Sequence, residues 1–298
     1  AVNPDFAADG HAIQRFTRPD RIIIGTSSLK IKEQLKQIFA PYNRNRDVII
    51  NMSPASAELT KYGTNAMLAT RISLMNELAS IAENIGADIE EVRLGLGADK
   101  RIGRAYLYPG IGFGGDNFTR DLERIQLLLP TAHQHGGQSL LQSVIDINEN
   151  QKELFFRKLW QHFDCDLQGK TISLWGLGYK PNTTSIQSSA SLTLIKAFIS
   201  QGCSLKLHDP FALDAVKTWV HKHLSPHEQH KVSFHTEMYD ATHNADALCV
   251  LTEYKPFWSP DLTQLKENMK THILLDGRNL YNKFWVEDNQ FTYYGIGR

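Results

Sequence analysis

Lys61 and Asn65 stand one helical turn apart, a spacing that lets an ammonium and a side-chain amide face a single ligand. Further along, GFGGDNFTRD (112–121) holds Asn117 and Asp121 at the same i, i+4 separation. The glycines of YPGIGFGG, at 110, 112, 114 and 115, would let backbone amides come close to a bound molecule. Asn117 offers no nucleophile, because a neutral amide has no low-pKa thiolate form with which to attack a carbonyl. His221, His223, His227 and His230 lie within HKHLSPHEQH and could in principle ligate zinc. A zinc site also needs carboxylates behind the imidazoles and a fixed geometry, whereas this stretch reads as the exposed end of a helix with a Pro-bearing loop, so no metal is expected. Gly110, Gly112 and Gly115 satisfy GxGxxG, but a dinucleotide fingerprint follows a strand and opens a helix, and RAYLYP precedes this one. It reads as a flexible loop. The turn at Gly176 and Gly178 does follow a strand, yet it lacks the third glycine.

The elements that must position these groups fall into three regions. RIIIGTS (21–27) and DVIIN (47–51) are short β-branched runs with an amphipathic helical pattern from Leu29 to Phe39 between them, a βαβ piece too small to stand alone. From Ser53 to about Phe163 the pattern is helical, apart from a Gly- and Pro-bearing loop from Tyr106 to Asp116. Its longest periodic segment spans Ser139 to Phe163, with Leu141, Val144, Ile145, Ile147, Leu154 and Leu159 as apolar positions, and such a helix needs a neighbour. After a polar break near 164–169, strand-like runs at 171–177, 204–210, 232–235, 245–252, 272–278 and 291–297 are mostly separated by helical patterns. That alternation predicts a parallel, doubly wound sheet. Ligands of such sheets sit beyond the carboxyl ends of the strands, which singles out Gly176 to Lys180, Asp209 and Asp276 to Asn279, although ordinary strand-to-helix turn chemistry accounts for those residues without a ligand.

Composition narrows the function classes. Lys plus Arg and Asp plus Glu both total 32, so no overall charge favours nucleic acid or an anionic membrane as partner. No apolar run approaches the roughly 18 residues that span a bilayer, and residues 1–20 lack the regions of a signal peptide, so a cytoplasmic location is expected. Cys165, Cys203 and Cys249 have no metal-ligand spacing and are expected to be reduced and structural. The chain opens on Ala1, in a segment that reads as the middle of a domain.

Six motifs occur in a telling order: NPDF with PDRIIIG, AELTKYGTNAMLATRISLMNE, GADKRIG, YPGIGFGG, GLGYKPNT and DGRNLY. In this the chain resembles the UDP-glucose/GDP-mannose dehydrogenase family along nearly its whole length. The resemblance implies an α/β fold in three parts. These are the incomplete C-terminal part of an NAD-binding Rossmann domain (1–52), a central helical dimerisation domain with a long helix (53–166), and a C-terminal Rossmann-like parallel-sheet domain that binds the nucleotide sugar (167–298). The glycine-rich first half of the NAD domain is not in this sequence, so NAD, the family's cofactor, is not expected to be held by this chain alone. The implied partners are a nucleotide sugar, a UDP-sugar first of all, and a second copy of the chain packed through the Ser139–Phe163 helix.

The family's functional positions carry over singly. Lys61 and Asn65 match residues that contact the sugar and assist the chemistry, although a lysine on a helix is by itself commonly just solvated. Asp121 matches an acid that positions a water or balances the lysine, and Asp5 matches a glutamate thought to handle protons or water. Arg101 matches an arginine that reaches the ligand across the dimer interface. Tyr108, Gly110, Gly112, Phe113 and Gly114 match the loop that wraps the nucleotide sugar, and Lys180 and Arg278 match two basic residues that reach it from strand ends. The departures lie elsewhere. Asn117 occupies the position of the catalytic Cys, which in the family carries the thiohemiacetal and thioester. Asp5 withdraws its carboxylate by one methylene, and Gln187 replaces an arginine expected to help hold NAD, losing a charge-assisted contact. The expectation is a family member that keeps a nucleotide-sugar pocket without the Cys nucleophile or the NAD platform. Two alternatives stand beside it: a fragment of an NAD-dependent UDP-sugar 6-dehydrogenase that oxidises an alcohol to a carboxylate for polysaccharide precursors, and a structural paralogue without a ligand.

Overall fold

The computed structural model describes residues 1–6, 12–43, 47–130 and 138–298. After a short helix α1 (Ala12–Thr17), strand β1 (Ile22–Gly25) pairs in parallel with β2 (Ile49–Met52), joined by helix α2 (Leu29–Phe39), as the alternation of β-branched and amphipathic segments predicts. β1 is wholly buried, whereas α2 buries no residue completely. Gly25 ends the strand hard against the next helix: a Cβ there would lie 2.6 Å from the Ala57 Cβ.

That next helix, α3 (Pro54–Ile85), is the longest in the described chain at 32 residues. Ser53 caps its start through the Ser56 N–H, Pro54 fills the first turn, and Gly86 ends it in the left-handed region at φ 74°. α4 (Ile89–Ala98), α5 (Asp116–Gln126), α6 (Leu140–Lys152) and α7 (Leu154–His162) follow. The expected continuous helix from Ser139 to Phe163 is therefore two helices. They break at Glu153, whose φ and ψ of −93° and −1° sit at the edge of the helical region; its N–H turns back to the Asn150 carbonyl at 3.3 Å, and the Arg157 guanidinium caps the same carbonyl at 2.8 Å. The reason lies in packing. Val144 and Ile145 of α6 join Ala66, Ala69 and Leu122, while Phe155 and Leu159 of α7 face Ile172, Leu194 and Phe198. A straight helix could not aim at both cores. The surplus apolar surface also lies elsewhere than expected: Met67, Leu74 and Ile81 of α3 recur every seven residues and are half or more exposed.

All six strands expected after residue 170 are present: β3 (Thr171–Trp175), β4 (Ser204–His208), β5 (Val232–His235), β6 (Ala247–Val250), β7 (Ile273–Asp276) and β8 (Thr292–Tyr294). They form one parallel sheet in the order β5-β4-β3-β6-β7-β8, flanked by helices that include α8 (Ala190–Ser200), α9 (Leu213–His223), α10 (Pro226–Gln229), α11 (Leu262–Asn268) and α12 (Lys283–Asp288). The order reverses between β3 and β6, which is where doubly wound sheets bind ligands. Two buried acids nearby are instead absorbed by their own turns. Asp209 Oδ2 accepts the Leu177 and Gly178 N–H groups at 2.6 and 3.0 Å, and its Oδ1 accepts those of Phe211 and Ala212 at 2.7 Å. Asp276 accepts from Arg278 N, Tyr281 N and the Tyr293 hydroxyl. At both positions the turn chemistry is what the carboxylate serves.

The histidine-rich stretch runs from the end of α9 into α10, which is closed by a reciprocal capping box between Ser225 and Glu228. His221 Nδ1 meets Gln229 Oε1 at 3.0 Å and His223 stacks on Trp219. Among the described residues no three His, Cys, Asp or Glu side chains form a group that could hold a metal, and no helix is long and apolar enough to cross a membrane. The cysteines are unpaired, and burial pushes the Cys203 thiol up to about 12.

His208 gives the sheet a pH dependence. Buried on β4, it meets the His235 carbonyl at 3.0 Å through Nδ1, and burial holds its pKa below the ordinary 6.5. His235 is lowered as well, by burial and then by Lys206. Below pH 6.5 the unfolded chain takes up protons that the folded chain resists, so their contribution is full above that pH and is lost as pH falls. The expected slope is at most about 1.4 kcal/mol per pH unit for each histidine. Urea unfolding at pH 7.5 and 5.5 should show this loss reduced in His208→Gln, whose amide can still donate to the His235 carbonyl; an unchanged loss would acquit His208.

Candidate functional site

The site is built on the connection between α4 and α5. Its glycine-bearing part does not float. Asn76 of α3 accepts the Gly110 N–H at 2.8 Å, and Gln151 of α6 donates to the Gly110 carbonyl at 2.7 Å. Asn148 of α6 accepts the Phe113 N–H at 2.7 Å and returns a bond to the Phe113 carbonyl at 3.1 Å. All three amide side chains are buried. The flexible loop expected from GxGxxG is thus a pinned one, because its main-chain groups find partners on two helices. Its glycines serve close packing: a Cβ on Gly114 would lie 2.7 Å from Tyr179 Cβ and 2.9 Å from the Ser188 carbonyl oxygen, and Gly112 has φ +89° with Asn148 behind it.

Opposite the loop stands Arg278, just beyond β7. Its Nε donates to the Leu251 carbonyl at 3.0 Å and pairs with Glu253 at 3.1 Å, which fixes the guanidinium. Tyr106, Tyr108, Gly110, Gly112, Phe113 and Arg278 line a common cleft of about 340 Å³. A larger cleft, of about 530 Å³, lies beside β1 and is lined by Asp5, Phe6 and Arg21 among others. Lys180 follows the turn after β3, its ammonium 5.3 Å from the Tyr179 ring, and that ring covers Gly115. Gln187 meets the same place through its main chain, its carbonyl accepting the Gly115 N–H at 2.7 Å.

A second cluster opens at the start of α5. Asn65 donates to Asp121 Oδ2 at 2.6 Å, both residues buried, and Arg120 reaches from the other side. Its Nε lies 3.5 Å from Asp121 Oδ1, and its Nη2 donates to Asn117 Oδ1 at 2.8 Å. Asn117 itself is exposed in the first turn of α5. An anion here would meet a helix N-terminus and a guanidinium, surroundings that lower a thiol's pKa. The chain presents an amide instead. Lys61 donates to the main-chain carbonyl of Asp5, and its ammonium stands 5.4 Å from the Phe6 ring, which Arg21 also covers at 4.1 Å.

The structure therefore joins Asn65, Asn117 and Asp121 through Arg120, joins Lys61 to Asp5, and sets Tyr108, Gly110, Gly112 and Phe113 across from Arg278. Arg101 stands apart, its side chain 89% exposed and paired with Asp99 at 2.6 Å. Three residues that motif reading passed over, Arg120, Asn148 and Gln151, hold the arrangement together. The only sequence signal for the last two is a pair of amides at i, i+3 on a helix that also buries Val144 and Ile145. The turn after β3 fits a dinucleotide poorly, since the Leu177 and Gly178 N–H groups that would cradle a pyrophosphate are spent on Asp209.

Comparison with known proteins identifies the chain's relatives. Residues 55–150 match the central domain of the UDP-glucose/GDP-mannose dehydrogenase family, and residues 173–283 match that family's UDP binding domain. The chain is 40% identical over 299 residues to UDP-glucose 6-dehydrogenase of Pseudomonas aeruginosa, covering 100% of this chain and 65% of that protein. It is 33% identical to UDP-glucose 6-dehydrogenase TuaD of Bacillus subtilis, covering 99% of this chain and 61% of the relative. Its fold is similar to that of a UDP-glucose dehydrogenase from Pyrobaculum islandicum, with a TM-score of 0.82 at 25% identity over 99% of this chain and 62% of that one. The chain belongs to the UDP-glucose/GDP-mannose dehydrogenase family. It spans about 65% of the length of the Pseudomonas relative.

Proposed function

We propose that this chain binds a UDP-sugar between the pinned loop and Arg278, and that Asn117 leaves it unable to form the thioester on which the family's oxidation depends. The carrying observation is the contrast at the site: loop, Arg278 and the Asn65–Asp121 pair are all in place, while the position at the positive end of α5 holds a group that cannot ionise. In this reading Arg278 and Lys180 meet the diphosphate, the loop from Tyr108 to Gly114 wraps the nucleotide, and Lys61, Asn65 and Asp121 face the sugar. Asp5 stands beside Lys61. Bidentate guanidinium contacts suit phosphate oxygens, which favours Arg278 for that role. The family's enzymes are NAD-dependent dehydrogenases. With Gln187 touching the site by its main chain and the turn after β3 spent on Asp209, the described residues fit an NAD pyrophosphate poorly.

Two copies of the chain pack through α3 in this proposal. Met67, Leu74 and Ile81 form an apolar seam of heptad spacing that a second copy would bury, and Arg101, exposed and paired with Asp99 of its own loop, would exchange that partner for the second copy's ligand.

One panel tests the reading. Calorimetry and thermal shift with UDP-glucose, UDP-glucuronate, GDP-mannose and NAD should show stabilisation by a UDP-sugar and none by NAD. Saturation at 100 times Kd is expected to add about 2.7 kcal/mol. Sedimentation of the same samples should give a dimer rather than a 33.8 kDa monomer. Asn117→Cys should carry a thiol that alkylates with a pKa below the usual value of about 8.5. Silence toward every nucleotide sugar would refute the binding claim. NADH formation by the Asn117 protein would favour the alternative, an active 6-dehydrogenase fragment, for which the retained Asn65–Asp121 pair is the supporting feature.

A further inference from the structure

Asn279, the residue after Arg278, turns the chain beyond β7 in the left-handed region at φ +51°, a conformation that costs asparagine less than most side chains. Its amide is engaged at both ends. Oδ1 accepts the Ile296 N–H at 2.9 Å, and Nδ2 donates to the Ile296 carbonyl at 2.9 Å and to Glu90 Oε1 at 3.3 Å. The chain beyond Ile296 is itself wedged against the central helices. The Gly297 N–H donates to Glu83 Oε1 of α3 at 2.8 Å, and the Gly297 carbonyl accepts the Ile89 N–H of α4 at 2.9 Å. A Cβ on Gly297 would lie 2.7 Å from Ile89 Cβ and 2.8 Å from Ala79 Cβ. Glu90 stands in the first turn of α4, and its Oε2 accepts from Arg93 Nε at 2.7 Å; the Arg93 guanidinium lies 4.4 Å above the Tyr108 ring.

One side chain thus ties the turn after β7 to helices α3 and α4. The consequence falls on Arg278. Its main-chain N–H is held by Asp276 at 3.1 Å, and its Nη1 would lie 3.3 Å from a Cβ at Gly110, so the guanidinium and the pinned loop have little room to shift against each other. A guanidinium makes two parallel bonds to a phosphate only when its plane and its position are both set. Leu251 and Glu253 hold Nε, but both belong to the C-terminal sheet and cannot align the guanidinium with a loop pinned on α3 and α6. The Asn279 amide reaches the central helices and can. We propose that Asn279 is a positioning residue for Arg278, setting the guanidinium against the loop across the cleft, with Glu90 as the outer anchor of this strut. The inference rests on the reading that Arg278 meets the diphosphate of a UDP-sugar.

The test is a double-variant cycle in UDP affinity, read by calorimetry and, for the weakest variants, by NMR titration of the uracil protons. Asn279→Gly removes the amide and keeps the left-handed turn without steric cost. Arg278→Met should weaken UDP roughly tenfold or more and Asn279→Gly about fivefold, and the double variant should be no weaker than Arg278→Met alone, because the amide acts through the guanidinium. A purely structural role for Asn279 would lower the urea midpoint and weaken UDP by the same factor in both backgrounds. If Asn279→Gly does not fold, Glu90→Ala carries the same cycle. Its smaller loss should vanish in the Arg278→Met background and be mostly restored by Glu90→Gln, whose Oε1 still accepts from Asn279. Equal UDP affinity in wild type and Asn279→Gly, or losses that multiply in the double variant, would overturn the strut while the cleft assignment stands. A wild-type chain that binds no UDP, or an Arg278→Met variant that binds it as well as wild type, would overturn the Arg278 reading and the strut with it.

Discussion

Asp209→Ala is expected to lower the unfolding free energy by about 3–5 kcal/mol. The carboxylate is buried and accepts four backbone N–H groups, from Leu177, Gly178, Phe211 and Ala212, along with the Tyr254 hydroxyl at 3.2 Å. Truncation leaves donors with no acceptor in a place that water reaches poorly, and an orphaned buried donor costs about 1–3 kcal/mol. Partial relaxation and a trapped water keep the total below the simple sum. Asp209→Asn should fall between the two, since one amide oxygen can still accept while the NH₂ group faces two other N–H groups. Urea melts should move in midpoint at constant slope. A change of less than about 1 kcal/mol in the Ala variant would mean that these turns are held by something else.

Asn148→Ala is the second large effect, and it separates stability from binding. The amide answers both main-chain groups of Phe113, and its side chain has no exposure to solvent. Losing both bonds is expected to cost about 2–4 kcal/mol and to free the loop opposite Arg278. UDP-sugar affinity should drop by roughly an order of magnitude or more, because the loop must then be ordered again at each binding event. Asn148→Asp keeps the acceptor for the Phe113 N–H but turns a carboxylate toward the Phe113 carbonyl oxygen, so it should rescue little. Melts combined with calorimetry check both halves. A variant that loses stability but binds the UDP-sugar as before would show that the loop does not form the cleft wall.

The strands were legible because a parallel sheet covered on both faces needs continuous apolar runs, and TISLW, ALCV and ILLD are such runs. The βαβ piece at the start was legible from its β-branched runs and the amphipathic helix between them, although only β1 is fully buried and β2 is largely uncovered. The break at Glu153 was not, since the apolar spacing on either side of it is compatible with one helix, and only the existence of two separate cores forces two axes. Family motifs singled out Asn65 and Asp121 separately, with Asp121 expected to position a water or balance Lys61. That they touch at 2.6 Å, with Arg120 bridging to Asn117, depends on α3 and α5 lying side by side. Asn148 and Gln151 were invisible because a buried amide is defined by the distant backbone it satisfies, and that backbone lies 35 and 41 residues earlier in the chain. Arg93 was missed for a similar reason: nothing in its own neighbourhood of sequence announces a tyrosine above it.

The pinned loop also carries a consequence for the order in which the molecule assembles. Its anchors come from Asn76, Asn148, Gln151 and Gln187, and Gly110 packs against Gly277, so no local segment can close it. Closing it brings together chain separated by long intervals, with the entropy of each enclosed loop lost before any bond is gained. The sheet from β3 to β8 is contiguous in sequence and can form without it. The cleft is therefore a late product of folding, set only after both halves have docked, and a nascent chain exposes Arg278 and Tyr108 to each other last of all.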